Sequence, residues 1–250
     1  MSITSVSIVT ITQYSRFDCL KNLYNLILLQ DYSTIDEWII VEGSQTEEYI
    51  AANSKQINDF IQTVQTLTPI HIIYLCKGTP QYLSDLRNMG NAACSGDIIV
   101  CMDDDDYYPP TRVSHAVKSL NFSNCEIAGC SEMYMYDYCF DTLYKFNGYH
   151  KYHSTNNCMA FTRDYLKTHS HKEGLTAGEE YSFTNGFTEP MYQLDPLKCI
   201  VVSSHDKNTY NKRPLIESEE NRFLYEVTQI NICDIIPEMI FQQMRSIFTS

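Results

Sequence analysis

Four consecutive carboxylates, Asp103 to Asp106, stand directly after the apolar run Ile98-Ile99-Val100-Cys101-Met102 and just before Tyr107-Tyr108-Pro109-Pro110. Like charges crowded at the end of a buried strand repel one another unless a cation or hydrogen-bond donors neutralise them. Hard divalent cations, which take oxygen ligands, are the obvious remedy. In a strand-like conformation Asp103 and Asp105 point to one side and Asp104 and Asp106 to the other, so a metal should meet one alternate pair. An EF-hand calcium loop fits poorly, because its glycine and its terminal glutamate are missing at the required spacing. The ten cysteines include no C-x-x-C pair and sit mostly among apolar neighbours, as Cys101 does, which predicts reduced, buried thiols rather than a zinc site or a disulfide framework.

The elements that must position these carboxylates are legible from periodicity. Val6 to Ile11 reads as a buried strand, and Ser15 is placed to cap a helix whose stripe is Phe17, Leu20, Leu23, Leu26 and Ile27. Trp38 to Val41, Ile70 to Cys76 and Asp97 to Met102 read as further strands. Helical patterns over 49–64 and 82–94 separate them, and another follows Pro109-Pro110. This βαβαβαβ order predicts a mostly parallel sheet covered on both faces, and such sheets bind ligands at the carboxyl ends of their strands. The Tyr-rich stretch 133–153 predicts antiparallel strands, with Asn147-Gly148 as a hairpin turn. Tyr134, Tyr136 and Tyr138 share one face there, suited to core packing more than to a sugar platform. Short strands near 159–162 and 199–203 follow, then helices over 218–227 and 238–248. No linker or repeat interrupts the chain, so a single domain is expected, with a nucleotide-binding half (1–125) joined to a mixed half (126–250).

Composition narrows the class. With 250 residues, 44% of them hydrophobic, the chain can bury a core of ordinary size. Eighteen basic against 31 acidic residues give a net charge of -13, which repels polyanions and argues against a nucleic-acid partner. A small anionic ligand such as a nucleotide is not excluded, because a bound cation reverses the local field. The N-terminus has no basic region before its apolar run, and no apolar stretch approaches a membrane span, so no membrane crossing and a cytoplasmic location are expected.

At this point the motifs carry a resemblance. Leu86-Arg87-Asn88-Met89-Gly90 through Asp97, then IIVCMDDDDYYPP, resembles the ARN-x-G to D-x-D-D stretch of family 2 glycosyltransferases of the GT-A fold. VSIVTITQYSR is similar to that family's first strand and turn, and Gln30-Asp31-Tyr32 with DEWIIVEGS resembles its second strand. The likeness covers roughly residues 5 to 120 and implies a GT-A fold: a Rossmann-like half with a mostly parallel sheet, fused to a mixed antiparallel acceptor half. It further implies a metal-dependent, inverting transfer of sugar from a nucleoside-diphosphate sugar, UDP-linked by preference, to a carbohydrate, protein or lipid acceptor. Mn²⁺ or Mg²⁺ would be the cofactor.

Carried over residue by residue, Asp105 would bind the metal, and Asp103 would share it or contact the ribose. Thr12 and Tyr14 would hold the base, with Gln13 as an extra residue between them, and Glu42 would accept a hydrogen bond from it. Arg87 would lie near the nucleotide sugar or pair with the acidic motif. Asn88 is equally open, and Asp104 neighbours the donor. Gly178-Glu179-Glu180 resembles the family's G-E-D motif, whose second acid is the general base; Glu180 is the first candidate and Glu179 the second, unless the pair only begins a helix. His205, in HDKNT, would be a third metal ligand unless it is merely solvated, and Lys207, Lys212 and Arg213 could close over the diphosphate. Two rivals remain: a non-catalytic sugar-binding relative, and a nucleotidyltransferase. The latter would show a glycine-rich phosphate loop after the first strand, and TITQYSR has no glycine.

Overall fold

The computed structural model describes residues 4–218 and 222–249. Its strands are β1 (Val6–Thr12), β2 (Ile35–Glu42), β3 (His71–Leu75), β4 (Ile98–Cys101), β5 (Ile127–Gly129), β6 (Met133–Asp137), β7 (Thr142–Phe146), β8 (Ala160–Thr162), β9 (Tyr192–Gln193), β10 (Val201–Ser204) and β11 (Leu224–Glu226). The helices are α1 (Phe17–Leu28), α2 (Glu47–Val64), α3 (Leu83–Ala93), α4 (Arg112–Phe122), α5 (Glu179–Phe183), α6 (Pro196–Cys199), α7 (Arg213–Glu217) and α8 (Glu238–Phe248).

Among the described residues the large sheet has seven strands in the order β3-β2-β1-β4-β8-β5-β9, and β3, β2, β1 and β4 run parallel. Both faces of β2, β1 and β4 are buried almost throughout, which is why they read as continuous apolar runs rather than alternating ones, while the edge strand β3 is only partly covered. Ile8, Trp38, Ile40 and Val100 pack with Leu20, Leu23 and the helix α4 residues Val113 and Ala116 on one face. Val9, Ile39, Val41, Ile99 and Cys101 pack on the other with Leu86 of α3 and Phe183 of α5. The chain leaves β1 for β2 and β3 on one side, then crosses to β4 on the other. The crevice at that reversal, outside the carboxyl ends of β1 and β4, is where such sheets bind ligands.

The second sheet, β10-β6-β7-β11, is antiparallel except for the parallel β10–β6 pair. Tyr136 and Tyr138 bury their rings against Phe241 of α8, and Tyr138 also meets Phe248, so the tyrosine stripe is core.

Three local expectations are corrected. Ser15 caps nothing: residues 14–16 form a 3-10 turn, and α1 starts at Phe17 without a side-chain cap. The β6–β7 hairpin turns at 138–141 rather than at Asn147-Gly148, because Asp137 Oδ1 accepts the N–H groups of Cys139 and Phe140 and closes the turn earlier. The helix expected over 218–227 is replaced by a turn and the edge strand β11, which pairs with β7; residues 219–221 of that stretch lie outside the described residues.

Candidate active site

The four aspartates sit in a turn, not a continued strand, so they do not alternate between two sides. Each finds its own partner. Asp103 is gripped by both terminal nitrogens of Arg87, at 2.5 and 3.0 Å, and its N–H donates to the Tyr108 hydroxyl. Asp104 is fully buried, accepts from Thr12 Oγ1 at 2.7 Å and lies 3.2 Å from Arg16 Nε. Asp105 Oδ2 meets Arg16 Nη1 at 2.8 Å, Asn208 Nδ2 at 3.0 Å and His205 Nε2 at 3.4 Å. Asp106 accepts from the Ser203 N–H and from Asn157 Nδ2.

These environments separate the carboxyls. Burial, reinforced by Asp105, pushes Asp104 up to about 8 even against Arg16. Burial and the same neighbour push Asp106 up to about 7. Asp105 is held well below the usual carboxylate range: its burial is outweighed by Arg16 and by its hydrogen bond with His205. The imidazole of His205 is kept below its ordinary value by burial, against the pull of Asp105. Its ring lies on Phe248 of α8, with centroids 4.0 Å apart and planes 11° from parallel.

Arg87 also reaches the second acidic pair. Its Nε lies 3.4 Å from Glu179 Oε1, so one buried guanidinium ties β4's end to the start of α5. Glu179 is thus held in an ion pair, while its half-buried neighbour Glu180 is not ion-paired among the described residues. Burial, then the charge of Glu179, raises Glu180 to about 7. A carboxyl with that value is half ionised near neutral pH, which suits proton exchange with a substrate hydroxyl. Asn88 exchanges hydrogen bonds with the backbone of His171, a structural tie.

The residues foreseen for the base lie at the neighbouring strand ends. Tyr14 is 40% exposed and stacks on Tyr49, with centroids 5.2 Å apart. Glu42 is buried and already accepts from the Ser44 N–H, Asn53 Nδ2 and the Tyr74 hydroxyl. Lys207 does not reach the acidic turn; its Nζ donates to the Ile247 carbonyl near the end of α8. Lys212 Nζ donates to the Ser203 carbonyl, and Arg213 pairs with Asp206.

Arg16 and Asn208 were not singled out by sequence, although both lie inside quoted strings, VSIVTITQYSR and HDKNT. Nothing local marks Arg16 as different from a solvated arginine; its partners are 88 and 89 positions away, counting from 16 to 104 and 105. Among the described residues no group of three or more His, Cys, Asp or Glu side chains is arranged to hold a metal ion. Asp105 and His205 nevertheless form a hard oxygen and neutral nitrogen pair, and Asp105 Oδ1 accepts no hydrogen bond from any described residue. That donor pair fits Mn²⁺ or Mg²⁺ completed by ligand oxygens, provided His205 Nε2 exchanges its contacts with Asp105 Oδ2 and Asn208 for the metal, whereas Asp103 has both oxygens taken by Arg87.

Comparison with known proteins adds the following. The model of a family described as glycosyl transferase family 2 matches residues 7–171. No curated protein sequence matches the chain. Among solved structures, S. aureus TarS 1-349 in complex with UDP-GlcNAc superposes with a TM-score of 0.62 at 14% identity, covering 82% of this chain and 60% of that one. The mannosyltransferase PcManGT from Pyrobaculum calidifontis, in complex with GDP-Man and Mn²⁺, gives 0.59 at 14% identity, covering 82% and 58%. The match thus spans about 60% of the length of these two structures, and the likeness is one of fold.

Proposed function

The chain belongs to glycosyl transferase family 2, and from that premise we propose that it moves a sugar from a nucleoside-diphosphate sugar to an acceptor hydroxyl with inversion. A UDP-linked donor is the first to test, since the TarS structure it resembles holds UDP-GlcNAc, although PcManGT holds GDP-Man. The observation that carries the reading is Glu180: a carboxyl raised to about 7, one residue from the Glu179 that Arg87 joins to Asp103.

In this reading the acceptor oxygen attacks the anomeric carbon while its proton passes to the Glu180 carboxylate. The bond from that carbon to the diphosphate breaks, its electron pair leaving on the diphosphate oxygen. Asp105 and His205 would hold a divalent cation, which when bound offsets the charge of the leaving diphosphate. Arg87 fixes Asp103 and Glu179 in one geometry, so the donor and acceptor sides of the cleft keep their separation. Arg16 neutralises Asp105 from the protein side and leaves Oδ1 available. One site then draws on residues from Thr12 to His205, so both halves of the chain act as a single unit.

Two substitutions separate the roles. Asp105→Ala should abolish the strengthening of UDP binding by Mn²⁺. Glu180→Gln should leave UDP binding within about twofold and slow hydrolysis of the donor, with water as acceptor, by roughly 10²- to 10⁴-fold. Equal loss of UDP binding in both variants overturns the assignment. The same hydrolysis assay decides against a non-catalytic sugar-binding relative when the wild-type protein turns over and Asp105→Ala does not.

A further inference from the structure

Next to Glu180 begins a run of aromatic rings that takes no part in the hydrogen bonds and ion pairs of the acidic turn. Tyr181, 64% exposed, stands 5.9 Å centroid to centroid from Phe187. Phe187 is 5.8 Å from the exposed His150 and 4.9 Å from His153 beneath it. Tyr149, 53% exposed, continues the line 4.9 Å from His153. Two chain segments, 149–153 and 181–187, thereby bring their rings into one line, packed edge to face or tilted with planes 57–86° apart, and one end of it is the helix that carries Glu180.

The backbone under the track is strained. Asn185, Gly186 and Phe187 have φ of 48°, 75° and 57° in succession. For a bulky residue such as Phe187 the left-handed region is a genuine outlier. Closing α5 does not require it, since the Gly186 N–H already bonds the Tyr181 carbonyl at 2.7 Å. Strain of this kind persists where the surroundings over-determine it, and it gathers at ligand sites. Here it holds the Phe187 ring between Tyr181 and the two histidines. Beside the track, Tyr181, Ser182, Asn185 and Lys172 help line a cleft of about 660 Å³ with no carboxylate in its wall.

We propose that the acceptor is a carbohydrate chain of several sugar rings, laid along Tyr149, His150, Phe187 and Tyr181 with its reacting hydroxyl at Glu180. This rests on the sugar-transfer reading and names the acceptor class for the same site. A pyranose has an apolar C–H face, which matches an aromatic ring, and a hydroxyl edge, which matches the imidazole, amide and ammonium groups alongside. The steps between the exposed rings, 5.8 Å from His150 to Phe187 and 5.9 Å from Phe187 to Tyr181, are comparable to a six-membered sugar, and the buried His153 supports them from beneath. A lipid chain would call for a mostly aliphatic lining, whereas the track is aromatic and the cleft beside it adds Leu175 and Ala177 to a wall that is otherwise polar, aromatic or glycine.

The test uses unbranched oligosaccharides of one to four rings from the cello-, chito- and malto- series, with binding followed by saturation-transfer NMR. Phe187→Gly removes the ring and suits the left-handed backbone, so its thermal midpoint should hold or rise while binding falls. Affinity for at least one series should strengthen with ring number, and Phe187→Gly should weaken the four-ring ligand by about tenfold. Tyr181→Ala should do the same. Binding by none of the three series, equal binding of one and four rings, or unchanged binding in Phe187→Gly overturns the proposal. Failure of the sugar-transfer reading looks different: oligosaccharides bind, yet UDP does not and no donor is hydrolysed.

Discussion

Glu180 is pulled in opposite directions, since burial and Glu179 favour its neutral form, while Arg87 and backbone N–H groups, including that of Asn156, favour the anion. Its value of about 7 in the folded chain exceeds the ordinary 4.5, so the folded state binds this proton more tightly than the unfolded state does. Two consequences follow with definite sign. As a base it works only when ionised, so donor hydrolysis should rise as pH passes through about 7 and level off above it. Stability moves the other way: the contribution present below about 4.5 is lost as pH climbs to about 7. Glu180→Gln should therefore have a higher thermal midpoint than wild type at pH 8, an advantage that vanishes by pH 4. A midpoint at pH 8 equal to or below wild type would mean that the carboxyl is not destabilised where it stands. The residue type and position of Glu180 were legible in the sequence, but its raised value was not, because desolvation is a property of the packed site.

The elements show the same division. The parallel strands and the helices of the first half followed from apolar periodicity, which depends on neighbours a few residues apart. The hairpin did not: Asn147-Gly148 is a good turn signal, and the Asp137 side chain, capping its own turn ten residues earlier, took precedence. The role of α8 was equally illegible, since an amphipathic helix reads alike wherever it docks. In the folded chain it packs on α1 and on the small sheet, lays Phe248 on His205, and holds Lys207 through the Ile247 carbonyl. Phe248→Ala should therefore destabilise the protein by about 3–5 kcal/mol. It should also speed hydrogen exchange at the His205, Lys207 and Asn208 amides, which bond within that loop. A destabilised variant with unchanged exchange there would show α8 to be packing alone.

Across the whole molecule, the fold is of the GT-A type shared with glycosyltransferases such as TarS. No helix among the described residues is long and apolar enough to cross a membrane. All ten cysteines are free, with Cys76 and Cys139 exposed and five of the others buried. A thiol reagent such as dithionitrobenzoate should accordingly react quickly with about two thiols in the native protein and with ten after denaturation in guanidinium. Fewer than ten on unfolding without reductant would reveal a disulfide that the fold does not contain. The net charge of -13 looked like a global property, yet four of its carboxylates, Asp103, Asp104, Asp105 and Glu179, pair with two arginines, the part-buried Arg16 and the buried Arg87. By itself the sequence determined the family, the alternation of strands and helices, and where acid must be neutralised, since these are written in local pattern and residue type. The tertiary structure alone decided which cation meets which acid, that Glu42 is already satisfied by protein donors, and that two distant segments align their rings beside Glu180. Arg16 lies 89 positions from Asp105, and Asn208 lies 103 from it. Contacts at such separations form only when the sheet brings its strand ends to one edge, and no local pattern encodes them.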